Sequence, residues 1–198
     1  MGLFKFIKNL IQESNKTQEN KDSHLDDSLR KTRKFSEYNK RPDWHEKYLE
    51  HERIAQENMY VNERIAKDHL AKAYELCKNT IIRKHFLLNM MIDYYYGLRY
   101  SDDDALDDCI ELCKESIRLA PDVLEEMKYE HYEILEHTNE FVPPSIPSFK
   151  RLSIIFENQE RYQEAIEICD IALSLQLKDG TKGGFEGRRK RLEKKLNT

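Results

Sequence analysis

The chain has 198 residues, of which 35 % are charged, with 6 glycines, 5 prolines and a formal net charge of −4. That length holds one domain with a tail or one elongated solenoid, and so few chain breakers argue against a turn-rich all-β fold. The charge is too mild to imply a nucleic-acid partner. The absence of any apolar run of ~18 residues predicts no membrane span, and the start of the chain carries no small-residue cleavage site of a secretory signal.

Met1–Glu13 places Leu3, Phe4, Phe6, Ile7, Leu10 and Ile11 on one arc at helical spacing, with Lys5, Lys8, Asn9 and Gln12 opposite. This predicts an amphipathic helix too short to be stable alone in water. Three surfaces suit it: the membrane interface through Met1–Gln12, a partner's groove, or the chain's own helices. Residues 14–41 are polar and lack a sustained period, which predicts a flexible linker.

Residues 42–198 then read as a helical domain. Pro42-Asp43 marks a helix start. From there to Asn79 good helix formers continue, with a turn expected near Asn58 or near Asp68-His69. Leu70, Ala73, Leu76, Cys77 and Ile81 are expected on one buried face. Next, 89–100 places Tyr96-Gly97 as a large–small pair and Tyr100 as a following aromatic. The glycine predicts close helix–helix approach. Leu106–Ala120 brings Cys109, Cys113 and Ser116 to small-residue positions, and Pro121 is expected to close the unit.

Asp122–His137 reads as one long helix, on which His131 and His137 would point away from each other. FVPPSIPS is a stiff approach to the last helical pair. In Ile146–Leu175 the period is plainest. Phe149, Leu152, Ile155 and Phe156 stripe one short helix, Ala165, Ile168, Cys169 and Ala172 a second, and Asn158-Gln159-Glu160-Arg161 makes the turn. Four glycines crowd 180–187, followed by a basic helix with Phe185, Leu192 and Leu196 as a thin stripe. This suits a loop and a terminal capping helix.

The stretch 146–178 resembles a tetratricopeptide repeat. Phe149, Leu152-Ser153, Phe156, Tyr162, Ala165 and Ala172 stand at that repeat's large and small positions, and 57–178 resembles the family more loosely. The resemblance implies an all-α fold: a short solenoid of helical hairpins with a C-terminal capping helix and a flexible N-terminal arm. It also implies that Cys77, Cys113 and Cys169 share one slot, about one repeat or more apart and therefore beyond disulfide reach. The four cysteines are accordingly expected as buried free thiols in a reducing cytoplasm.

The resemblance further implies a concave groove for a protein or peptide, lined here by Tyr94, Leu98, Lys150, Arg151, Ile154 and Asn158. Some members of that family grip a terminal carboxylate. Lys150 and Arg151 match the last part of such a clamp, whereas Tyr94, Tyr95 and Leu98 depart from its middle part.

No HExxH or ExxH occurs, the histidines are scattered, and no metal, cofactor or catalytic set is expected. Lys182, Gly183, Gly184 and Arg188 form a candidate anion-binding loop, without the P-loop pattern or a preceding strand. The expected function is non-enzymatic protein interaction in the cytoplasm. A peripheral membrane adaptor and a small-anion or nucleotide sensor are the alternatives.

Overall fold

The computed structural model describes residues 42–197. The predicted helix at Met1–Glu13 and the linker 14–41 lie outside the described residues. Seven α-helices account for most of the described chain: α1 (His45–Asn58), α2 (Glu63–Cys77), α3 (Ile81–Leu98), α4 (Ala105–Tyr129), α5 (Pro147–Asn158), α6 (Tyr162–Ser174) and α7 (Gly184–Leu196). A π-helical turn spans Glu130–Ile134, and there is no strand among the described residues. Residues 42–127 and 142–197 belong to one unit, and Lys128–Phe141 to another.

Each helix begins and ends for a local reason. Of the two turn positions expected after Pro42, the first is used. Asn58 ends α1 and donates its side-chain amide to the Ile54 carbonyl at 2.8 Å. Asn62 adopts an extended backbone and accepts from the Ile65 N–H at 3.2 Å, satisfying one of the bare donors of a helix start. Pro147 opens α5 at a position where its missing N–H costs nothing. The α5–α6 turn is closed by the Arg161 N–H donating to the Phe156 carbonyl at 2.8 Å, with Glu160 at a φ of 60°.

Neighbouring helices pack as α1 on α2, α2 on α3, α3 on α5, α5 on α6 and α6 on α7. The seams are thin. Buried side chains recur at intervals of four, three and four along α2 (Ala66, Leu70, Ala73, Cys77) and along α4 (Cys109, Cys113, Ser116, Ala120). In α6 the same spacing gives Ala165, Cys169 and Ala172. Facing helices carry the bulk. Ser148-Phe149, Leu152-Ser153 and Ile155-Phe156 are buried pairs on α5, and Leu87-Leu88 and Met91-Ile92 repeat them on α3. Slim residues on one helix let a large stripe on the next approach closely.

Several expectations need correction. The buried pair on α3 is Met91-Ile92, both large, whereas Tyr96 is only partly buried and Gly97 is exposed. Gly97 therefore makes no close approach: a Cβ built there meets nothing within 4 Å. Tyr100 lies outside the core at 87 % exposure. Pro121 does not end a unit; α4 runs through it to Tyr129. Ile81 starts α3 rather than extending α2. Cys77 is the last residue of its helix, whereas Cys113 and Cys169 lie in the middle of theirs, so the three do not share a slot. Leu196 is exposed and leaves Phe185 and Leu192 to hold α7.

In the smaller unit the long-helix expectation fails after Tyr129. The Leu135 N–H reaches back to the Glu130 carbonyl at 2.9 Å, which widens the last turn, and Glu136 adopts a φ of 52°. The chain thereby folds back, and His131 and His137 come together, with ring centroids 4.8 Å apart. His131 also sits 4.7 Å from the Tyr132 ring and 5.7 Å from that of Phe141. Tyr132 Oη accepts the Phe141 N–H at 2.8 Å, closing the knot.

Candidate functional site

Tyr94, Tyr95 and Tyr96 follow one another on α3. Successive helical residues leave the axis about 100° apart, so the three rings face three neighbours. Tyr94 turns to the α1–α2 connection, its ring edge-on to Tyr60 at 6.2 Å. Tyr95 lies under the Lys67 ammonium of α2 at 5.6 Å. Tyr96 meets Arg151 of α5, whose guanidinium carbon stands 3.9 Å from the ring centroid.

This geometry separates the residues proposed for the groove. Tyr94 is 1 % exposed and Leu98 is also buried, so both belong to the core and neither offers a face to a ligand. Lys150 and Arg151 diverge as well. Lys150 Nζ donates to the Asp179 carbonyl at 3.3 Å, toward the loop before α7. Arg151 Nη2 donates to Asp93 Oδ1 of α3 at 2.9 Å. Ile154 is half-buried and Asn158 exposed, on the helix face that Arg151 shares.

Residues not foreseen at this surface complete it. The Arg99 guanidinium lies 4.0 Å from the Tyr96 centroid and 4.2 Å from that of Tyr100, and Nη1 donates to the Tyr96 carbonyl at 2.6 Å. Arg151, Tyr96, Arg99 and Tyr100 thus alternate cation and ring in one column across α3 and α5. Such stacking holds a guanidinium planar and in place while its N–H edge stays available. Arg151 shares its charge with Asp93, an arrangement whose carboxylate is largely solvated and therefore weak. No carboxylate pairs with Arg99 among the described residues. Gly97 adds no side chain beside the column. The sequence signal is Tyr-Gly-Leu-Arg-Tyr at 96–100, where the glycine leaves the column uncovered rather than packing against a helix.

The loop 179–189 is organised differently from the anion cradle expected of it. Asp179 is buried, and its Oδ1 accepts from Thr181 N at 2.9 Å and from Thr181 Oγ1 at 2.6 Å, while Oδ2 faces Arg188 Nη2 at 3.3 Å. Burial opposes ionisation of Asp179, yet the Thr181 bonds and Arg188 outweigh it and hold the carboxyl below its usual range. Arg188 also lies 3.8 Å from Glu157 Oε2. The cation proposed for an external anion is therefore buried between two internal carboxylates, and Lys182 stands exposed without it. Gly183 and Gly184 take φ values of 96° and 56°, which start α7 rather than wrap a ligand.

Most of the basic face of α7 is likewise paired within the fold. Glu157 accepts from Arg191 Nη2 at 3.1 Å and from Lys195 Nζ at 2.9 Å, and Arg189 Nε reaches Asp170 at 2.6 Å. The Arg191 hydrogen bond leads in holding the Glu157 carboxyl below its usual range.

The four thiols are free and buried. Burial pushes Cys77 up to about 11 and Cys169 up to about 12. Its hydrogen bond with Cys109 and burial raise Cys113 far above an ordinary thiol, and Cys109 Sγ donates to the Ile92 carbonyl at 3.6 Å. Cys109 goes the other way: its hydrogen bond with Cys113 holds it below an ordinary thiol, so the four share burial but not acidity. No group of three or more His, Cys, Asp or Glu converges on one point among the described residues. Nor is any described helix long and apolar enough to cross a membrane.

Comparison with known proteins places this chain beside none of them: no family model, no curated protein and no solved structure matches it.

Proposed function

We propose that this chain is a non-enzymatic protein-interaction module of stacked helical hairpins, similar in plan to tetratricopeptide repeats. The observation that carries the reading is the repetition of buried pairs between α3 and α5, set against slim residues at matching intervals on α2, α4 and α6. A stacked array of this kind leaves the outward faces of the bulky helices for a partner. The face formed by α3 and α5 carries Tyr96, Arg99, Tyr100, Arg151 and Asn158, a composition rich in the aromatic and arginine anchors of interfaces. Its ligand is an acidic peptide segment, whose carboxylates meet the held guanidinium edges of Arg99 and Arg151.

A positional library of peptides, free acids and amides alike, tests the reading against the intact protein and its R99E/R151E double variant. Selection of Asp- or Glu-containing sequences, with affinity lost about 30-fold or more in the variant, supports it. Equal binding to both proteins, or no acidic preference, removes this face from the function.

A further inference from the structure

The geometry points to a divalent transition-metal site shared by His51 of α1 and His69 of α2, with Zn²⁺ as its simplest occupant. The two imidazoles meet with Nδ1 facing Nδ1 at 3.1 Å and ring centroids 4.9 Å apart. Two facing ring nitrogens this close hold one proton between two lone pairs. Replace that proton by a cation and both lone pairs become donors. Ligands at the usual zinc–nitrogen length of about 2.0 Å and a tetrahedral angle stand about 3.3 Å apart, so the rings need move only slightly.

Three further features favour the exchange. First, the rings come from different helices packed against each other, so their separation is set by the backbone rather than by one flexible segment. Second, negative charge lies near the far nitrogen of His69: Asp68 Oδ2 is 3.9 Å from Nε2, beyond hydrogen-bond length. That charge favours the tautomer with Nε2 protonated and the Nδ1 lone pair free. Binding then moves one proton: the hydrogen shared between the Nδ1 atoms passes to Nε2 of His51 or to solvent as the cation takes both lone pairs. Third, His51 lines an open groove with Lys47, Asp68, Lys72 and Glu75, so the site is reached from solvent. Lys72 is neutralised there by Asp68 at 2.7 Å, which limits its repulsion of a cation. Lys47 is the remaining positive neighbour in the groove and Glu75 the remaining negative one.

Two protein nitrogens leave the remaining positions of a four-coordinate ion to water or to an incoming ligand. Imidazole donors select late first-row ions over Mg²⁺, which prefers oxygen.

Titration calorimetry of the intact protein with Zn²⁺ at pH 7.5 tests the assignment. One ion should bind, and either His51→Gln or His69→Gln should weaken it by about ten-fold or more. Asp68→Asn should weaken it less. The H131Q/H137Q double variant, which removes the other close pair, should bind as the parent does. Lowering the pH to 5.5 should weaken binding, since each protonated ring loses its donor. In the parent, histidine NMR resonances of two rings should shift together on addition of Zn²⁺. No binding up to about 1 mM Zn²⁺, undiminished binding in the H51Q/H69Q double variant, or equal binding of Mg²⁺ would overturn it.

Discussion

Helices α5, α6 and α7 hold together differently from α1, α2 and α3. In the C-terminal set each predicted large position on α5 is filled by a residue at most 2 % exposed, and its small partners on α6 are equally buried. The cap is then fastened by charge: Glu157 gathers three basic side chains from α7, and Asp179 is buried beside Arg188. The N-terminal set has a core too, around Tyr48, Leu70 and Leu87. Its periphery is made of rings, imidazoles and single hydrogen bonds, and Tyr60, Val61 and Phe86 remain exposed. Both sets have a fully buried core; the C-terminal set adds a cap fastened by buried charge, and the N-terminal set adds polar contacts at its surface. Buried charge should therefore matter most to stability at the C-terminal end, and binding chemistry should lie in α1–α3 and along the α3–α5 face.

The sharpest way to break this contrast is to hollow the C-terminal core. Phe156→Ala removes a fully buried ring and should cost about 4 kcal/mol in urea unfolding. Tyr60→Ser, at 80 % exposure, should change stability by less than about 0.5 kcal/mol. Equal losses would mean that Phe156 does not hold the C-terminal core.

Next in size is the buried charge. Arg188→Ala strands the Asp179 carboxylate and should destabilise by about 3 kcal/mol. The D179N/R188M pair should recover much of that loss, which a double-variant cycle reads directly.

A pH series sharpens the same point. Glu157 and Asp179 both ionise more readily in the folded chain than ordinary carboxyls near 4.5 and 3.8. Groups depressed in this way contribute stability that is complete above those values and is lost as pH falls through the folded-state values. Stability should thus drop below about pH 4. The drop should shrink in an E157Q/D179N variant; a pH profile unaltered by those changes would remove α7's charges from the account.

Smaller effects belong to the N-terminal set. Asn62→Ala deletes the cap of α2 and should cost about 1 kcal/mol. Gly97→Ala, where the added methyl meets open space near the end of α3, should stabilise by about 0.5 kcal/mol. A loss there would show that Gly97 is held against something after all.

Much of the fold is legible without coordinates, and the reason is locality. Whether a segment is helical depends on its own formers, breakers and apolar period, so α5 and α6 can be drawn from Phe149, Leu152, Ala165 and Cys169 alone. Small residues at a seam are readable for the same cause, because the partner helix is next in sequence. What the sequence could not decide is register and direction between elements. Tyr94 and Leu98 face the core and Gly97 faces open space, which the spacing of 89–100 did not decide. Pro121 was absorbed by a helix it should have ended, and a widened turn at Glu130–Ile134 brought His131 back to His137.

The candidate sites divide the same way. Arg151 was readable as a groove cation, but its alternation with Tyr96 and Arg99 joins residues from two helices. By sequence Arg188 fits an anion ligand, but Asp179 and Glu157 already take its charge. His51 and His69 lie 18 positions apart and carry no spacing motif. The chain by itself determined that it would be helical, with slim seams and buried thiols, because those properties are summed along short segments. Which side chains meet was left to the tertiary structure, since a shift of one residue turns a helical side chain by about 100° and exchanges one neighbour for another.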